Sequence, residues 1–486
     1  MSDYNFLMES RLSPEQYRVI NHLSHLAASQ GLNFYLVGGA VRDLTYGQQV
    51  IRDLDFAAEG NVQKILRHLS SRGAQKTAAD TAPGAAVEKL HFDKRLGSAE
   101  ITFENGVRAE VGMCRNEFYA KPGRRPEVHP VMIFEDLKRR DLSINAMAVS
   151  LHPNSRGLLL DPTNGAADIE RRELRVLHNR SFPEDPSRIY RLLRLGARLD
   201  FKPEERTKSL LDSALENRLW QGLEPEMRAR ELKAILHEEN PGKALRALAS
   251  RGLLTGLDRK LPASKIPYES FNKVRTVAQS IPGADPFLVN FHCLVERLGG
   301  GQRMRLAKKI LGDAKTTRTA LGLERAARKL ARTLSSSKAA LPSQGYALLK
   351  GQPLPLLVFL MVKFPQAKIQ NRVKNFLFKA PMIRARLPRA ELQALGVKPG
   401  PKFEKMLEQV FADQLDGKLK TPQQITKELR ALAGIKEPPP KPVKPAKKAA
   451  KAEKAPPTKP ATPSKKAEKA PPKKSPMPFR KSKGKK

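Results

Sequence analysis

The chain has 486 residues, enough for several domains, and carries 89 Lys and Arg against 49 Asp and Glu, a net charge of +40. This charge favours a polyanionic partner, and two cysteines, Cys114 and Cys293, are too few for a disulfide framework or a set of zinc fingers. Because the sequence has no apolar run of transmembrane length and a polar N-terminus, we expect a reduced, cytoplasmic protein without a membrane partner.

The C-terminal end accounts for only part of the charge. Residues 437–486 contain 17 Lys and Arg and 3 Glu, a net charge of +14, so residues 1–436 retain +26. Since this end is rich in Lys, Pro and Ala and almost free of apolar residues, we predict a disordered basic tail at 436–486.

Near the N-terminus, a predicted strand runs into a predicted helix through two glycines. Phe34–Val37 is a short apolar run typical of a buried strand, Gly38 and Gly39 follow it, and the next residues have helical character. Such a turn presents bare amides and a helix N-terminus to an anion. Arg42, in the first turn of the helix, is placed to reach a phosphate.

Two aspartates follow on a second predicted strand. In Arg52-Asp53-Leu54-Asp55-Phe56, the two carboxylates share one face, while Leu54 and Phe56 face the core. Paired carboxylates beside a phosphate-binding turn can hold Mg²⁺ against a nucleotide. Each pattern alone usually marks a turn or a solvated strand end, but the strand–turn–helix–strand order favours a nucleotide site. The arrangement resembles the first motif of nucleotidyltransferases of the DNA polymerase β type.

Three alternating segments, 87–92, 99–103 and 107–111, predict further strands, and Glu110 lies in the last of them. A sheet of this kind would bring Glu110 beside Asp53 and Asp55 as a third carboxylate. An ordinary strand-end glutamate is an equally good interpretation.

Residues 135–148 pass from a charged run, which contains Arg140 and Asp141, directly into apolar sequence, so the charged end abuts a core. The histidines show no comparable grouping. His91, His129 and His178 are scattered along the chain, and we interpret them as structural.

A further helix is predicted to begin near residue 186. Asp185 is a natural N-cap with Pro186 at the first helical position. Arg188, Arg191 and Arg194 recur every third residue and are interpreted as one basic stripe.

Together these segments resemble the class II tRNA nucleotidyltransferases, which are the CCA-adding enzymes and their bacterial poly(A) polymerase relatives. The matching motifs, in the family's order over roughly residues 30–430, are GGAVRD with DLD, DLKRRDLSINAMA, LLDPTNGAADIE, EDPSRIYRLLRLGARLDF and EMRARELKAIL. The resemblance implies an α+β fold with a polymerase-β-type head and a mixed sheet. The implied domains are a head at 1–150, a helical neck at 151–260, a helical body at 261–385 and an RNA-binding tail at 386–435.

The resemblance also implies residue roles. Asp53 and Asp55 match the metal-binding catalytic carboxylates, and Glu110 is kept as a third catalytic candidate. Asp185 and Arg188 match the pair that reads the base of the incoming nucleotide. The nucleotide-binding positions are Gly38, Gly39, Arg42, Arg140, Asp141, Asp185, Arg188, Arg191 and Arg194.

The implied activity is addition of CMP and AMP from CTP and ATP to the 3′ end of tRNA, with Mg²⁺ as cofactor, release of pyrophosphate and no obligate protein partner. The alternatives are a bacterial poly(A) polymerase, an enzyme restricted to CC or A addition, and an inactive RNA-binding protein on the same scaffold. The segment LHFDKRLGSAEITF lacks the Arg-rich stretch usual in the poly(A) relatives. Retention of both Asp53 and Asp55 argues against an inactive protein.

Overall fold

The computed structural model describes residues 3–48, 51–70, 86–121, 126–258, 261 and 263–435. Met1–Ala433 forms one compact unit. Gly434–Lys486 is a second unit and lies almost wholly outside the described residues, as does the predicted basic tail at 436–486.

Within the residues that the structure describes, all strands lie in the N-terminal half. They are β1 (Phe34–Val37), β2 (Leu54–Ala58), β3 (Val87–Asp93), β4 (Ser98–Phe103), β5 (Arg108–Met113), β6 (Arg115–Phe118), β7 (Glu127–Pro130), β8 (Ala148–Ser150), β9 (Leu159–Leu160), β10 (Glu173–Leu174) and β11 (Lys202–Pro203).

Helices accompany the strands and then make up the rest of the described chain. They are α1 (Tyr4–Arg11), α2 (Pro14–Ser29), α3 (Gly39–Tyr46), α4 (Gln63–Ser70), α5 (Ile133–Lys138), α6 (Gly165–Arg171), α7 (Ser181–Glu184), α8 (Ser187–Leu199), α9 (Glu205–Glu216), α10 (Pro225–Leu236), α11 (Pro241–Ala249), α12 (Leu254–Leu257), α13 (Tyr268–Gln279), α14 (Phe287–Val295), α15 (Gly300–Leu311), α16 (Ala314–Ser335), α17 (Pro342–Leu349), α18 (Leu354–Lys363), α19 (Ala367–Lys374), α20 (Ala380–Ala385), α21 (Arg389–Ala394), α22 (Pro401–Leu415) and α23 (Pro422–Ala433).

The principal sheet is mixed and has the strand order β3-β4-β5-β2-β1-β8-β9. β2 and β5 run parallel, and the other neighbouring pairs are antiparallel. β6 and β7 form a separate antiparallel hairpin that the sequence analysis did not anticipate. The strand predicted at Phe34–Val37 is β1, and all four of its residues are buried.

Strand β1 is an interior strand of the sheet and packs within the apolar core. Phe34 of β1 stacks on Phe56 of β2, with ring centroids 5.1 Å apart. Helix α2 starts with a capping box between Ser13 and Gln16 and places Leu23 in the same apolar core. The sheet therefore supplies a rigid support for the residues at its strand ends.

The predicted α+β fold, a mixed sheet followed by helices, is confirmed. Near the C-terminal end of the described chain, Leu392, Phe403, Leu407, Val410 and Leu429 belong to an apolar cluster of their own. The proposed boundaries between head, neck, body and tail stay a prediction. Across the described helices, we find none with both the length and the apolar character that a membrane crossing requires.

Candidate active site

A cavity of about 580 Å³, within the size range of small-molecule sites, lies against the interior strands of the sheet. Residues of β1, β2 and β5, the start of α3, the β6–β7 hairpin and α5 line one side. The start of α8 and the first turns of α10 line the other. The predicted motifs thus converge on one space, although they are far apart in the chain.

Two carboxylates on neighbouring strands lie side by side in the cavity. Asp55 on β2 is the register partner of Glu110 on the parallel strand β5, and both line the cavity. Asp53 precedes β2, is 50% exposed and pairs with Arg108 at 2.9 Å. The pKa of Asp55 is raised to about 7 by burial and by the charges of Glu110 and Asp53, with partial opposition from nearby arginines. The site therefore concentrates negative charge.

This donor set suits a divalent cation, because carboxylates that raise one another's pKa would be relieved by a cation between them. In the described part of the chain, however, no three His, Cys, Asp or Glu side chains converge closely enough to form a ready metal site. Asp53, which pairs with Arg108, lies outside the cavity lining.

The glycine turn between β1 and α3 is required by its geometry. Gly38 has φ 68°, a left-handed value that favours glycine. A Cβ on Gly38 would lie 3.3 Å from both Arg140 Nη1 and Asp55 Oδ2. The backbone can therefore approach the cavity closely, and the N-terminus of α3 at Gly39 faces the same space, where it favours an anion.

Arg42 lies behind the lining of the cavity rather than in it. Its buried guanidinium donates to Asp43 Oδ1 at 2.8 Å and to Asn145 Oδ1 at 2.6 Å. Asn145 does line the cavity and donates to Asp141 Oδ1 at 3.2 Å. In this arrangement Arg42 supports Asn145, and its predicted contact with a phosphate stays a prediction.

Arg140 and Asp141 both line the cavity, as the motif led us to expect. Arg140 donates from Nη2 and Nε to Asp136 Oδ2, at 2.8 and 3.1 Å. Asp136 also accepts from Arg139 Nη2 at 2.5 Å and from the Arg115 amide at 3.1 Å. Burial alone would raise the pKa of Asp136, but the charges of Arg140 and Arg139 hold it below its ordinary value.

The sequence analysis missed two carboxylates that bind the arginines on this side of the cavity. Asp136 precedes Arg139 and Arg140 by three and four residues, a helical spacing that could have revealed it. Glu117 on β6 accepts from Arg139 Nη1 at 2.7 Å and from the Tyr119 hydroxyl at 2.8 Å. Its partners Arg115 and Tyr119 lie only two residues away, but the contact with Arg139 spans 22 residues and no local signal pointed to it.

Asp185 and Arg188 form the opposite end of the cavity. Helix α8 begins at Ser187, one residue later than predicted, so its N-cap is Pro186 and the prediction of Asp185 as N-cap is wrong. Asp185 Oδ1 nevertheless accepts from the Ser187 amide at 3.0 Å and from the Ser187 hydroxyl at 2.6 Å. Asp185 Oδ2 lies 3.9 Å from Arg188 Nε. Arg188 Nε is buried and has no hydrogen-bond partner among the described residues.

The predicted basic stripe divides. Arg191 lines the cavity, donates to Glu231 at 3.1 Å and approaches Asp141 at 3.8 Å. Arg194 lies outside the lining and donates to Glu238 at 2.8 Å. Three residues rotate around a helix axis by about 300°, which is about 60° less than a full turn. Two such steps place Arg194 roughly 120° around the helix from Arg188. The nucleotide-binding role expected of Arg194 stays a prediction.

Comparison with known proteins agrees with this geometry. Residues 34–175 match the protein family described as "Poly A polymerase head domain". A curated relative from Geobacter sulfurreducens, "A-adding tRNA nucleotidyltransferase", is 26% identical over 85% of this chain, and the chain spans 47% of that relative. A relative with the same name from Halalkalibacterium halodurans is 27% identical over 89% of this chain and 96% of its own length.

A third curated relative is similar enough to assign this chain to a protein family. It is the "CC-adding tRNA nucleotidyltransferase" of Deinococcus radiodurans, 34% identical over 63% of this chain and 77% of its own length. The head-domain match begins at β1 and includes the glycine turn, both aspartates and the Arg140–Asp141 motif. With its mixed-sheet head and helical remainder, the chain belongs to the class II tRNA nucleotidyltransferases.

Proposed function

We propose that this protein adds CMP and AMP, taken from CTP and ATP, to the 3′ end of tRNA and thereby builds its CCA end. The observation that carries the proposal is the pair of unused groups in the cavity, Asp185 Oδ2 and Arg188 Nε. One is an acceptor and the other a donor, they lie 3.9 Å apart, and their residues line the same cavity as Asp55 and Glu110.

This pair suits cytosine and adenine. Both bases present an exocyclic amine donor next to a ring-nitrogen acceptor, so the amine can donate to Asp185 while Arg188 donates to the ring nitrogen. Uracil and guanine would turn a carbonyl towards the carboxylate and an N–H towards the guanidinium. Leaving charged groups unpaired in a buried pocket costs about 1–3 kcal/mol each or more, which is the order of magnitude that base selection needs.

The reacting groups belong at the other end of the cavity. Asp55, Glu110 and Asp53 are the residues that would hold Mg²⁺, and the chemistry that Mg²⁺ supplies there is activation of the RNA hydroxyl and stabilisation of the leaving group's charge. The glycine turn and the N-terminus of α3 would hold the phosphates, and Arg140 and Arg191 add positive charge to the same cavity.

The reaction needs no covalent enzyme intermediate. The 3′-hydroxyl of the RNA attacks the α-phosphorus of the nucleotide, a new P–O bond forms, and the bond to pyrophosphate breaks. The chain's own residues then act by orientation, because the base is held at Asp185 and the phosphates at Gly38 and Gly39. The partners in this proposal are tRNA, CTP and ATP, and the place of action is the cytoplasm.

The number of nucleotides added is a separate question. The names of the relatives from Geobacter and Halalkalibacterium favour a second candidate, addition of A alone, and the name of the Deinococcus relative favours addition of CC alone. A pair that accepts both C and A is compatible with all three activities, and also with poly(A) addition. The distinction therefore rests on the RNA end that each enzyme accepts.

Four substrates and four nucleotides test the proposal. Purified protein is incubated with tRNAs that lack CCA, end in the first C, end in CC or are complete, each with a single nucleotide. CCA addition predicts CTP use on the first two, ATP use on the third and no use of the complete tRNA. Use of CTP alone or ATP alone would assign the restricted activities, and ATP use on the complete tRNA would assign poly(A) addition. No incorporation with any tRNA would contradict the proposal.

A further inference from the structure

The guanidinium of Arg188 is held from behind by three groups outside the base-reading pair. Nη1 donates to the buried Ser181 hydroxyl at 2.8 Å and faces His178 Nε2 at 3.4 Å. Nη2 donates to the backbone carbonyl of Arg139 at 3.0 Å. The side chain of Arg188 is only 5% exposed, so these contacts decide its orientation.

The three groups behind Arg188 occupy some of its hydrogen-bond donors and leave others free. A guanidinium has five N–H donors and no acceptor. Ser181 and His178 engage the two on Nη1, and the Arg139 carbonyl engages one on Nη2. The donors left are Nε–H and one Nη2–H, which we call the free edge of the guanidinium. Nε of this free edge lies beside Asp185 Oδ2, the acceptor of the proposed base-reading pair.

His178 can take part only as a neutral ring. Because arginine cannot accept a hydrogen bond, Nε2 must present its lone pair and the ring proton must sit on Nδ1. Protonation of Nε2 would instead set two cations 3.4 Å apart.

The groups that face this ring are few. They are Arg188 from α8, Glu184 from α7 at 3.8 Å, and Arg180 just before α7. Burial first, then the charges of Arg188 and Arg180, lower the pKa of His178 against the opposing charge of Glu184. The neutral ring is therefore the form present near pH 7.

We propose that His178 is a positioning residue for base selection, which holds the Arg188 guanidinium so that its free edge reads the ring nitrogen of the incoming base. This inference rests on the proposed function, since it assigns His178 to the same site. It also changes the interpretation of His178 from a scattered structural residue to a determinant of specificity that does not itself touch the nucleotide.

The test compares His178→Ala and His178→Gln with the wild-type full chain on a tRNA that lacks its end. Single-turnover incorporation of CTP and of UTP, each supplied alone, gives a discrimination ratio. His178→Ala should lower the ratio by about tenfold, the order expected from losing one hydrogen bond to a charged group. In His178→Gln the side-chain oxygen replaces Nε2 as acceptor, so the ratio should stay within about twofold of wild type.

A pH series adds a readout that a merely structural role would not move. As the pH falls from neutral through the pKa of His178, which lies below its ordinary value, protonation of the ring should lower the wild-type ratio, whereas the ratio for His178→Gln should stay flat. Using the ratio removes pH effects that are common to both nucleotides. The control is His152→Gln, because the His152 ring accepts from the Asn154 amide, lies outside the cavity lining and should leave the ratio unchanged when replaced.

The outcomes separate the two proposals. If the wild type discriminates against UTP but His178→Ala does so equally well, with an unchanged unfolding midpoint, the positioning role is wrong. If His178→Gln fails to restore the ratio, the acceptor argument is wrong. If the wild type itself uses CTP and UTP alike, the base-reading function fails, and the inference that rests on it falls as well.

Discussion

Replacing Asp136 with Asn should be strongly destabilising, because Asp136 is the buried counter-charge for Arg139 and Arg140, which line the cavity. Its side chain is 1% exposed and accepts from Arg139 at 2.5 Å and from Arg140 at 2.8 Å. Asn is almost isosteric, but it removes the charge and turns an amide N–H towards a guanidinium. Breaking a buried pair from one side costs about 3–5 kcal/mol, so we expect a loss of that size in the free energy of unfolding.

The matched control is Glu404→Gln. Glu404 is bound by both terminal nitrogens of a single arginine, Arg389, at 2.8 and 3.1 Å, and its side chain is 54% exposed. Exposed pairs contribute about 0–1 kcal/mol, so Glu404→Gln should leave stability nearly unchanged. The two variants thus differ in burial and in the number of arginines bound, which is two for Asp136 and one for Glu404.

Urea unfolding at neutral pH compares the two variants, since urea adds no ionic screening. Neutral pH keeps Asp136 ionised, because its lowered pKa means that its stabilisation is lost only as the pH falls through that pKa. Asp136→Asn should also lower nucleotide addition, since Arg140 would no longer be held at the cavity. Equal midpoints for Asp136→Asn and Glu404→Gln would refute the reasoning.

Three further predictions address the site, the tail and pH. Asp55→Ala should abolish nucleotide addition in the presence of Mg²⁺ while the circular dichroism spectrum stays that of the wild type; near-normal turnover would remove Asp55 from the catalytic role. Deleting residues 437–486, a +14 segment, should weaken binding to all RNAs and flatten the salt dependence without changing the added nucleotide, as measured by filter binding at several salt concentrations; a changed product would place the segment in the active site. Burial lowers the pKa of His292 to about 4, so unfolding takes up a proton between that value and about 6.5, and stability should fall by up to about 3 kcal/mol across this window as the pH drops. His292→Leu should show a flatter profile in urea unfolding, and an unchanged slope would show that His292 is not the group responsible.

Local patterns were sufficient to predict the elements that carry the site. Phe34–Val37 is a strand because four apolar residues precede two glycines, and this reasoning depends on no distant residue. The pairing of Asp55 with Glu110 is different. Both strands were predicted, but their parallel register depends on a chain reversal over more than fifty residues, so the role of Glu110 had to stay open.

Side-chain partners were the part that sequence could not supply. Arg42 and Arg194 look like free cations in the sequence, yet Arg42 is bound to Asn145 and Arg194 to Glu238, 103 and 44 residues away. Glu117 was missed because the hairpin that carries it has no clear strand pattern in the sequence. Burial and long-range ion pairing decide which arginines face the cavity, and neither follows from local spacing.

The measurement that tests the central claim most directly is nucleotide choice in Asp185→Asn. The structure makes this change clean, because Oδ1 can keep its hydrogen bonds to Ser187 while an amide N–H replaces the acceptor Oδ2, to which the proposal assigns the amine of the base. The variant should lose its selectivity against UTP and GTP, since the amide can donate to their carbonyls, and the carboxylates at Asp53 and Asp55 are untouched. Incorporation is scored with each nucleotide supplied singly on a tRNA that lacks its end. Increased UTP use relative to CTP is the predicted result, and unchanged discrimination with a normal CTP rate would show that Asp185 and Arg188 do not read the base.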